Sequence, residues 1–378
     1  MYLDTTPNLT SLQPLLFDFS DLPSCFSVKL SKKESEFAAI WNMVLNLLPS
    51  SLFKENCLGR KGYMLVDILA VRAVMLFFKQ ANIKMTIEFL NGNQNVRDII
   101  GLSKIPSESV ISRRTKELFD NIDVDSMHKA IVKEFYSSRL VCNLSIDSTP
   151  IDAREKPVVR ENTTPEKMKK GRKKKGSEEE RKYKERIAEE KRLEELAKHG
   201  DARQFLSTLE DKCSLTGKKN SKGHMQWRIG YKVHLAVDDM GIPMSFFVSG
   251  ASVHDSKVAI PLIRLAKERC TFLYTLMDGG YSSKDIVSFA KELGVVPVID
   301  FKANRNGLKP EMDKAKKVRY KARTTVERTN SELKDCFLPP KLYSRGKGSL
   351  LDLQFAVLLL TIKKIRNRLL EEQRIKVA

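Results

Sequence analysis

The sequence predicts an α/β layer fold with a mixed β-sheet, preceded by an all-helical N-terminal domain. Apolar residues recur at helical spacing between residues 34 and 138. From residue 139 onward the pattern changes, and the order becomes three strands, helix, strand, helix, strand, helix. Strands that alternate with helices are typical of a sheet covered by helices, so the second half of the chain predicts the α/β layer.

The chain is expected to hold two domains and a flexible arm. Three prolines mark residues 1–33 as the arm, residues 34–138 form the helical domain, and residues 139–378 form the α/β domain. A charged helical insertion interrupts the α/β domain at about 152–225. Helices of the first domain are expected at Glu34–Leu48, Tyr63–Gln80, Thr86–Leu90, Val96–Ile100, Ser107–Phe119 and Val124–Ser137.

Charge and composition point to a nucleic-acid partner. The 378 residues include 67 Lys and Arg against 47 Asp and Glu, a net charge of +20. Such a surplus favours a polyanion, DNA before an acidic membrane, because each neutralised phosphate releases counterions. The longest apolar run, Leu351 to Ile362, is too short for a membrane span, and the N-terminus lacks the layout of a signal peptide. Six scattered cysteines without a C-x-x-C pair fit a reducing cytoplasm and argue against a zinc site.

A helix–turn–helix is expected within the helical domain. The break Gly101-Leu-Ser-Lys-Ile-Pro106 precedes Ser107-Glu-Ser-Val-Ile-Ser-Arg-Arg-Thr-Lys116, which predicts a capped, basic second helix that binds DNA. The alternative is an ordinary helical bundle, because basic helices are common in this chain.

The insertion is dominated by Lys, Arg and Glu and has almost nothing to bury. Residues Glu178 to Lys198 predict an exposed helix with i, i+4 ion pairs such as Glu180–Lys184. Contact with the DNA backbone and a solvated linker helix are equally consistent with this composition.

Two aspartates are expected at strand ends in the α/β domain. Asp147 ends the first strand before Ser148-Thr-Pro150, and Asp278 ends a buried strand before Gly279-Gly280. Ligands gather at strand ends in such sheets, although a strand-end aspartate is more often a turn residue, as expected for Asp238 and Asp239. The expected elements are Leu140–Asp147, a hairpin of Arg228–Asp238 and Pro243–Ser249, a helix from His254 to about Lys267 capped by Asp255 or Ser256, Thr271–Asp278, Ser283–Leu293, Val295–Phe301 and Ser349–Glu371.

A helix near the C-terminus carries an unusual face. At about 100° per residue, Arg323, Lys334, Glu327 and Tyr320 fall within about 60° of one another, if the helix reaches back to Tyr320. Such a face suits a metal ion beside a phosphate. The alternative is a solvated basic helix with an ordinary surface ion pair.

Glu327 could complete a three-carboxylate cluster with the two strand-end aspartates. Oxygen ligands without His or Cys favour Mg²⁺ or Mn²⁺. Two such ions would activate a water or a 3′-hydroxyl for phosphodiester displacement.

These motifs resemble those of DDE transposases of prokaryotic insertion sequences, in the branch marked by Tyr-x2-Arg-x3-Glu-x6-Lys. Tyr320, Arg323, Glu327 and Lys334 match that pattern. Ile146-Asp147-Ser148, Gly230-Tyr-Lys-Val-His-Leu-Ala-Val-Asp238 with Val253-His-Asp-Ser256, and Met277-Asp278-Gly-Gly-Tyr281 match in order. The resemblance covers about 139–370 and, more weakly, 34–138.

The resemblance implies a ribonuclease H-like core with a five-stranded mixed sheet. It implies that Asp147, Asp278 and Glu327 bind two Mg²⁺ ions, with Mn²⁺ as a substitute, and that Tyr320, Arg323 and Lys334 hold DNA phosphates. It further implies double-stranded DNA as partner, a homodimer in the active complex, and a place in the prokaryotic cytoplasm with the nucleoid. His254 is expected to be structural.

The chain departs from better-known relatives in the position of its insertion. Their large insertion precedes the glutamate helix, where this chain has only a short basic loop at about 302–319. The hairpin step of excision is therefore left open. Besides a transposase, the sequence allows a catalytically silent DNA-binding protein of the same origin or a stand-alone nuclease.

Overall fold

The structure is a computed structural model that describes residues 30–54, 62–158, 178–219, 223–301 and 311–377. The predicted arm lies almost wholly outside the described residues, as do the basic stretch 169–176 and much of the predicted loop at about 302–319. No helix within the described ranges is long and apolar enough to cross a bilayer.

The N-terminal region is helical, as predicted. The first helix begins with a capping box, in which Ser31 Oγ accepts from the Glu34 amide at 3.2 Å and Glu34 accepts from the Ser31 amide at 2.6 Å. The second helix is central to the core, because every one of its residues except Asp67 is buried. The helices are α1 (Lys32–Leu47), α2 (Leu65–Phe77), α3 (Ile83–Gly92), α4 (Gln94–Ile99), α5 (Glu108–Asn121) and α6 (Val124–Phe135), with a 3₁₀ turn at Ser50–Phe53.

Helix α5 differs in detail from the predicted DNA-binding helix. Ser107 occupies its N-cap position, but the side chain makes no capping hydrogen bond and contacts Ser109 Oγ at 3.1 Å instead. Arg114 is tied back to the Tyr63 carbonyl, which leaves Arg113 and Lys116 as the exposed cations of the predicted second helix.

A six-stranded mixed sheet follows. Strand β1 pairs antiparallel with β3 and parallel with β5, β5 pairs parallel with β6, and β2 and β4 both pair antiparallel with β3. Five strands in the order β4-β3-β1-β5-β6 form a ribonuclease H-like sheet, so the predicted fold class is confirmed. The strands are β1 (Leu140–Asp152), β2 (Ser214–Lys219), β3 (Met225–Val237), β4 (Pro243–Gly250), β5 (Thr271–Met277) and β6 (Val296–Ile299).

Helices cover both faces of the sheet. Successive side chains of a strand point to opposite faces. In β1, Asp147 contacts the helix that carries Glu327, while Ser148 contacts the helix that begins at Asp255. These two helices therefore lie on opposite faces. The helices of this region are α7 (Glu178–His199), α8 (Ala202–Ser207), α9 (Asp255–Lys267), α10 (Lys284–Glu292), α11 (Lys314–Tyr320), α12 (Thr324–Phe337) and α13 (Lys347–Val377).

The first strand is longer than predicted. It does not end at Ser148-Thr-Pro150 but continues to Asp152, so Asp147 lies within the strand. Residues 147–152 pair with Leu235 back to Gly230 of β3, whereas pairing with β5 stops at Ile146. Beyond Ile146 the strand is open on one side, where the missing amide hydrogen of Pro150 is tolerated.

The described part of the insertion docks on the core. Helix α7 is the predicted charged helix, with Lys184 Nζ 3.0 Å from Glu180. Its C-terminal end is held by Arg264, whose guanidinium donates to the Ala197 carbonyl at 3.1 Å. Strand β2 was not predicted, because its sequence has no apolar alternation: Ser214 is buried, whereas Leu215 remains 47% exposed.

The last helix joins the helical region to the sheet. Helix α13 contacts α1, α2, α5 and α6 as well as β4 and α12. Asp352 on α13 is buried and pairs with the buried guanidinium of Arg72 on α2, which also donates to Thr115 Oγ1 at 2.9 Å. One continuous apolar cluster extends from Phe37 to Ile365.

Candidate active site

The helix with the unusual face does reach back to Tyr320. Helix α11 ends at Tyr320, residues 321–323 form a 3₁₀ turn, and α12 begins at Thr324, with right-handed helical backbone angles throughout the junction. The Arg323 guanidinium carbon lies 5.7 Å from the centre of the Tyr320 ring. Arg323 also forms an ion pair with Glu327 one turn later. Tyr320, Arg323 and Glu327 are thus neighbours on one surface.

The two aspartates are brought together by strand pairing. In the parallel β1–β5 ladder Ile146 lies opposite Met277, so that Asp147 and Asp278 follow side by side. Asp278 also caps the short 3₁₀ turn Gly279–Tyr281, because its Oδ1 accepts from the Gly280 amide at 2.7 Å.

The electrostatics of Asp147 show that the three carboxylates share one environment. Burial raises the pKa of Asp147 to about 6. The Ser148 amide and the Arg323 guanidinium oppose that rise, whereas the charges of Asp278 and Glu327 add to it. A partly buried carboxyl with a strongly shifted pKa and several charged neighbours is typical of a functional site.

Asn330 is a site residue that was not predicted from the sequence. It lies on α12 one turn after Glu327, is buried, and donates from Nδ2 to Asp147 Oδ2 at 3.1 Å. This contact ties the glutamate helix directly to the first aspartate. Its spacing of three residues from Glu327 was the available signal, since i and i+3 share a helix face.

A polar network supports Asp147 from the other face of the sheet. Lys232 Nζ donates to Asp255 Oδ1 at 2.9 Å and to the Val253 carbonyl at 2.8 Å. Burial would raise the pKa of Asp255, yet His234, Lys232 and the Ser148 hydroxyl lower it below its ordinary value. A charged aspartate is therefore held behind Ser148, the residue that follows Asp147.

The predicted cap of α9 was wrong. His254, not Asp255 or Ser256, occupies the N-cap position, and its Nδ1 accepts from the Ser256 amide at 3.3 Å. Asp255 is already engaged by Lys232, so the preceding imidazole takes the capping role. His254 has the structural role expected of it.

Asp238 and Asp239 are structural, as expected for turn residues. Asp238 is buried and accepts from the amides of Met240 at 3.0 Å and Ile242 at 2.7 Å. Asp239 Oδ2 accepts from the amides of Cys142 at 3.0 Å and Asn143 at 2.9 Å. Both carboxylates are therefore occupied by the backbone.

Lys334 lies on the same helix two turns beyond Glu327. It is partly buried, close to Arg228 of β3 and to Asp152 at the end of β1. Burial and the charge of Arg228 lower its pKa, against the opposing charges of Asp152, Asp335 and Asp147. Lys334 therefore belongs to the same charged region as Asp147.

The donor set fits a hard divalent cation, although the side chains do not enclose one. Within the described residues, no group of three or more His, Cys, Asp or Glu side chains is arranged to hold a metal ion. Asp147 and Asp278 are adjacent and supply carboxylate oxygens, which Mg²⁺ prefers. Glu327 forms an ion pair with Arg323 through Oε1.

Fold and site define a class of protein: a ribonuclease H-like core in which two adjacent aspartates, one within β1 and one directly after β5, face a glutamate-bearing helix. The chain belongs to the transposase DDE domain family, whose model matches residues 142–362. The matched segment includes all six predicted site residues. Proteins of this family are transposases, which cleave DNA and in general use divalent metal ions. Comparison with curated proteins and with solved structures gives no significant match.

Proposed function

We propose that this protein is the transposase of a prokaryotic insertion sequence, in the branch with the Tyr-Arg-Glu-Lys signature. It binds the terminal inverted repeats of its element, cleaves DNA at the element ends and joins those ends to target DNA. The observation that carries the proposal is the parallel β1–β5 pairing that sets Asp147 beside Asp278, with α12 anchored to Asp147 through Asn330.

Asp147, Asp278 and Glu327 are the residues that would hold two Mg²⁺ ions, or Mn²⁺ in their place. When bound, the ions supply a Lewis acid that activates a water or a 3′-hydroxyl and stabilises the leaving oxygen. Asn330 orients the Asp147 carboxylate by donating to one of its oxygens, and the Gly280 amide does the same for Asp278.

Tyr320, Arg323 and Lys334 would hold DNA phosphates around the reacting bond. Arg323 has a double role, because the guanidinium that would bind a phosphate now neutralises Glu327. A phosphate that engages Arg323 would release the Glu327 carboxylate toward the aspartates. Binding of DNA and assembly of the carboxylate cluster would then be coupled through one arginine.

The partner is double-stranded DNA, at the element ends and at the target. Arg113 and Lys116 on α5 are exposed cations of the helical region that could contact its backbone. We infer a homodimer in the active complex, by analogy with the family, since two element ends must be processed together.

The test is metal-dependent cleavage with matched variants. Asp147→Asn, Asp278→Asn and Glu327→Gln should each abolish Mg²⁺-dependent nicking of donor DNA while DNA binding survives. Asp285→Asn is the control, because Asp285 is half exposed and pairs with Lys198. Cleavage at the wild-type rate by any of the three variants would refute the role of that residue.

Two other functions give different results in the same assays. A catalytically silent DNA-binding protein would bind DNA and never cut it with Mg²⁺ or Mn²⁺. A stand-alone nuclease would cut but would not join pre-cut ends to a target duplex. The joining assay needs DNA with the sequence of the element ends. That sequence is given by the inverted repeats on either side of the gene.

A further inference from the structure

A cleft lies beside the candidate active site, where the helical region meets the sheet. It has a volume of about 270 Å³ and is lined by the end of β1, the end of α12 and three cations. The cations come from three separate elements, Lys79 from the segment after α2, Arg228 from β3 and Lys334 from α12. Lys334 was predicted from the sequence to bind phosphate, whereas Lys79 and Arg228 were not.

Lys79 has a backbone conformation that lysine rarely adopts. Its φ of 57° makes it the one non-glycine residue with a positive φ in the described ranges. It follows α2 in a Schellman motif, in which the Gln80 amide donates to the Met75 carbonyl at 2.8 Å and the Lys79 amide to the Leu76 carbonyl at 3.2 Å. Glycine is the usual residue at this position, because it has no Cβ to oppose a positive φ.

The strained position directs the Lys79 side chain toward the cleft. Its ammonium donates to the Asp335 carbonyl at 2.9 Å, next to Lys334 on the same helix. Residues kept in unfavourable backbone conformations cluster at functional sites. The lysine thus places a cation at the cleft, at a conformational cost that glycine would avoid.

Arg228 is also available to an anion. It lies on the part of β3 that extends past the end of β1, and its side chain is 45% exposed. Its nearest approach to the Asp152 carboxylate is long, 3.9 Å. A weak ion pair of this kind contributes little and yields readily to a phosphate.

The cleft carries more positive than negative charge. Three cations face the carboxylates of Asp152 and Asp335. Burial, and then the charge of Arg228, lowers the pKa of Lys334, whereas the charges of Asp152 and Asp335 raise it. An anion bound between these cations would relieve their mutual repulsion.

The position of the cleft matches a phosphate close to the cleavage point. Lys334 follows Glu327 by seven residues, which is about 10 Å along the helix. A DNA strand advances about 3.4 Å per nucleotide along the duplex axis. A DNA strand that runs along α12 would cover this distance in about three nucleotides.

We propose that this cleft binds a backbone phosphate of the DNA about three nucleotides from the cleaved bond, with Lys79 and Arg228 as its ligands beside Lys334. The proposal rests on the proposed function and deepens it. It assigns to the helical region, through Lys79, a direct contact with the DNA strand that enters the active site.

The salt dependence of DNA binding tests the proposal. The full-length variants Lys79→Gly and Arg228→Gln are compared with wild type on a short fluorescent duplex of arbitrary sequence. Each should lower the slope of log affinity against log salt by about 1 and weaken binding about fivefold at 0.15 M salt. Lys291→Gln, which removes an exposed lysine of α10 away from the cleft, should leave the slope unchanged.

Lys79→Gly also separates a binding role from a structural one. Glycine relieves the backbone strain, so thermal stability should stay equal or rise while DNA binding falls. Lys79→Asn, which tolerates the same conformation, should behave alike. Loss of stability with an unchanged slope would mean that Lys79 only braces α12, and the proposal would be overturned.

Failure of this proposal can be told from failure of the proposed function. If the wild type binds DNA and nicks it with Mn²⁺ but both cleft variants keep the wild-type slope, only the cleft assignment falls. If the wild type shows neither salt-dependent binding nor metal-dependent nicking, the transposase proposal falls and the cleft assignment falls with it.

Discussion

Asp147→Asn should stabilise the metal-free protein at neutral pH, although it should abolish cleavage. Burial raises the pKa of this carboxyl from 3.8 to about 6. The folded state therefore binds more protons than the unfolded state between these values, and stability falls as pH rises through that window. This difference of about two pKa units means that ionised Asp147 lowers the free energy of unfolding by about 3 kcal/mol above pH 6. The neutral amide of asparagine removes that cost.

The measurement is urea denaturation of wild type and Asp147→Asn in EDTA, at pH 5 and at pH 7.5. The variant should gain up to about 3 kcal/mol at pH 7.5 and about half of that at pH 5, where the carboxyl is largely protonated in the folded state but still ionised in the unfolded state. Asp285→Asn serves as control, because that carboxylate is half exposed and a surface ion pair contributes little. A variant equal to or less stable than wild type at pH 7.5 would refute the reasoning, since it would mean that ionised Asp147 is not strained.

Three further predictions use the same denaturation assay. Arg323→Gln should move the pH midpoint of the Asp147 transition upward, because the charge of the guanidinium lowers the pKa of that carboxyl; an unchanged midpoint would contradict this charge interaction. Asn330→Ala should cost about 2 kcal/mol at pH 7.5, as expected for a hydrogen bond to a charged group, and less at pH 5; equal losses would indicate only a cavity. Arg72→Met should cost about 3–5 kcal/mol by leaving Asp352 buried and unpaired, and Arg72→Met with Asp352→Leu should recover most of it; no recovery would argue against that cause.

The sequence was sufficient for the fold and for the proximity of the two aspartates. Alternation and apolar runs depend only on neighbouring residues, so the strand that contains Asp147 and the strand that ends just before Asp278 could be predicted. The parallel order of those strands then sets the two carboxylates side by side. The prediction that Tyr320 shares a face with Arg323 and Glu327 required helical backbone as far back as Tyr320, and the structure has it.

What the sequence could not supply depends on contacts between distant segments. Strand β1 passes Pro150 because β3 pairs with it there, which no local rule for proline reveals. His254 caps α9 because Lys232, some twenty residues earlier, has already engaged Asp255. Asn330 could not be singled out from the sequence, because its partner Asp147 lies in the distant strand β1. Lys79 could not be singled out either, because its unusual feature is a backbone angle.

The shared core around α13 has a mechanical consequence. Because Arg72 and Asp352 pair in the interior between α2 and α13, the helical region is held against the last helix at that junction. A duplex gripped both by α5 and near Asp147 would have to follow the path between them, and the work of bending would fall on the DNA. The protein would then select DNA by its flexibility, since DNA sequences that bend easily would bind more tightly even at positions that no side chain contacts.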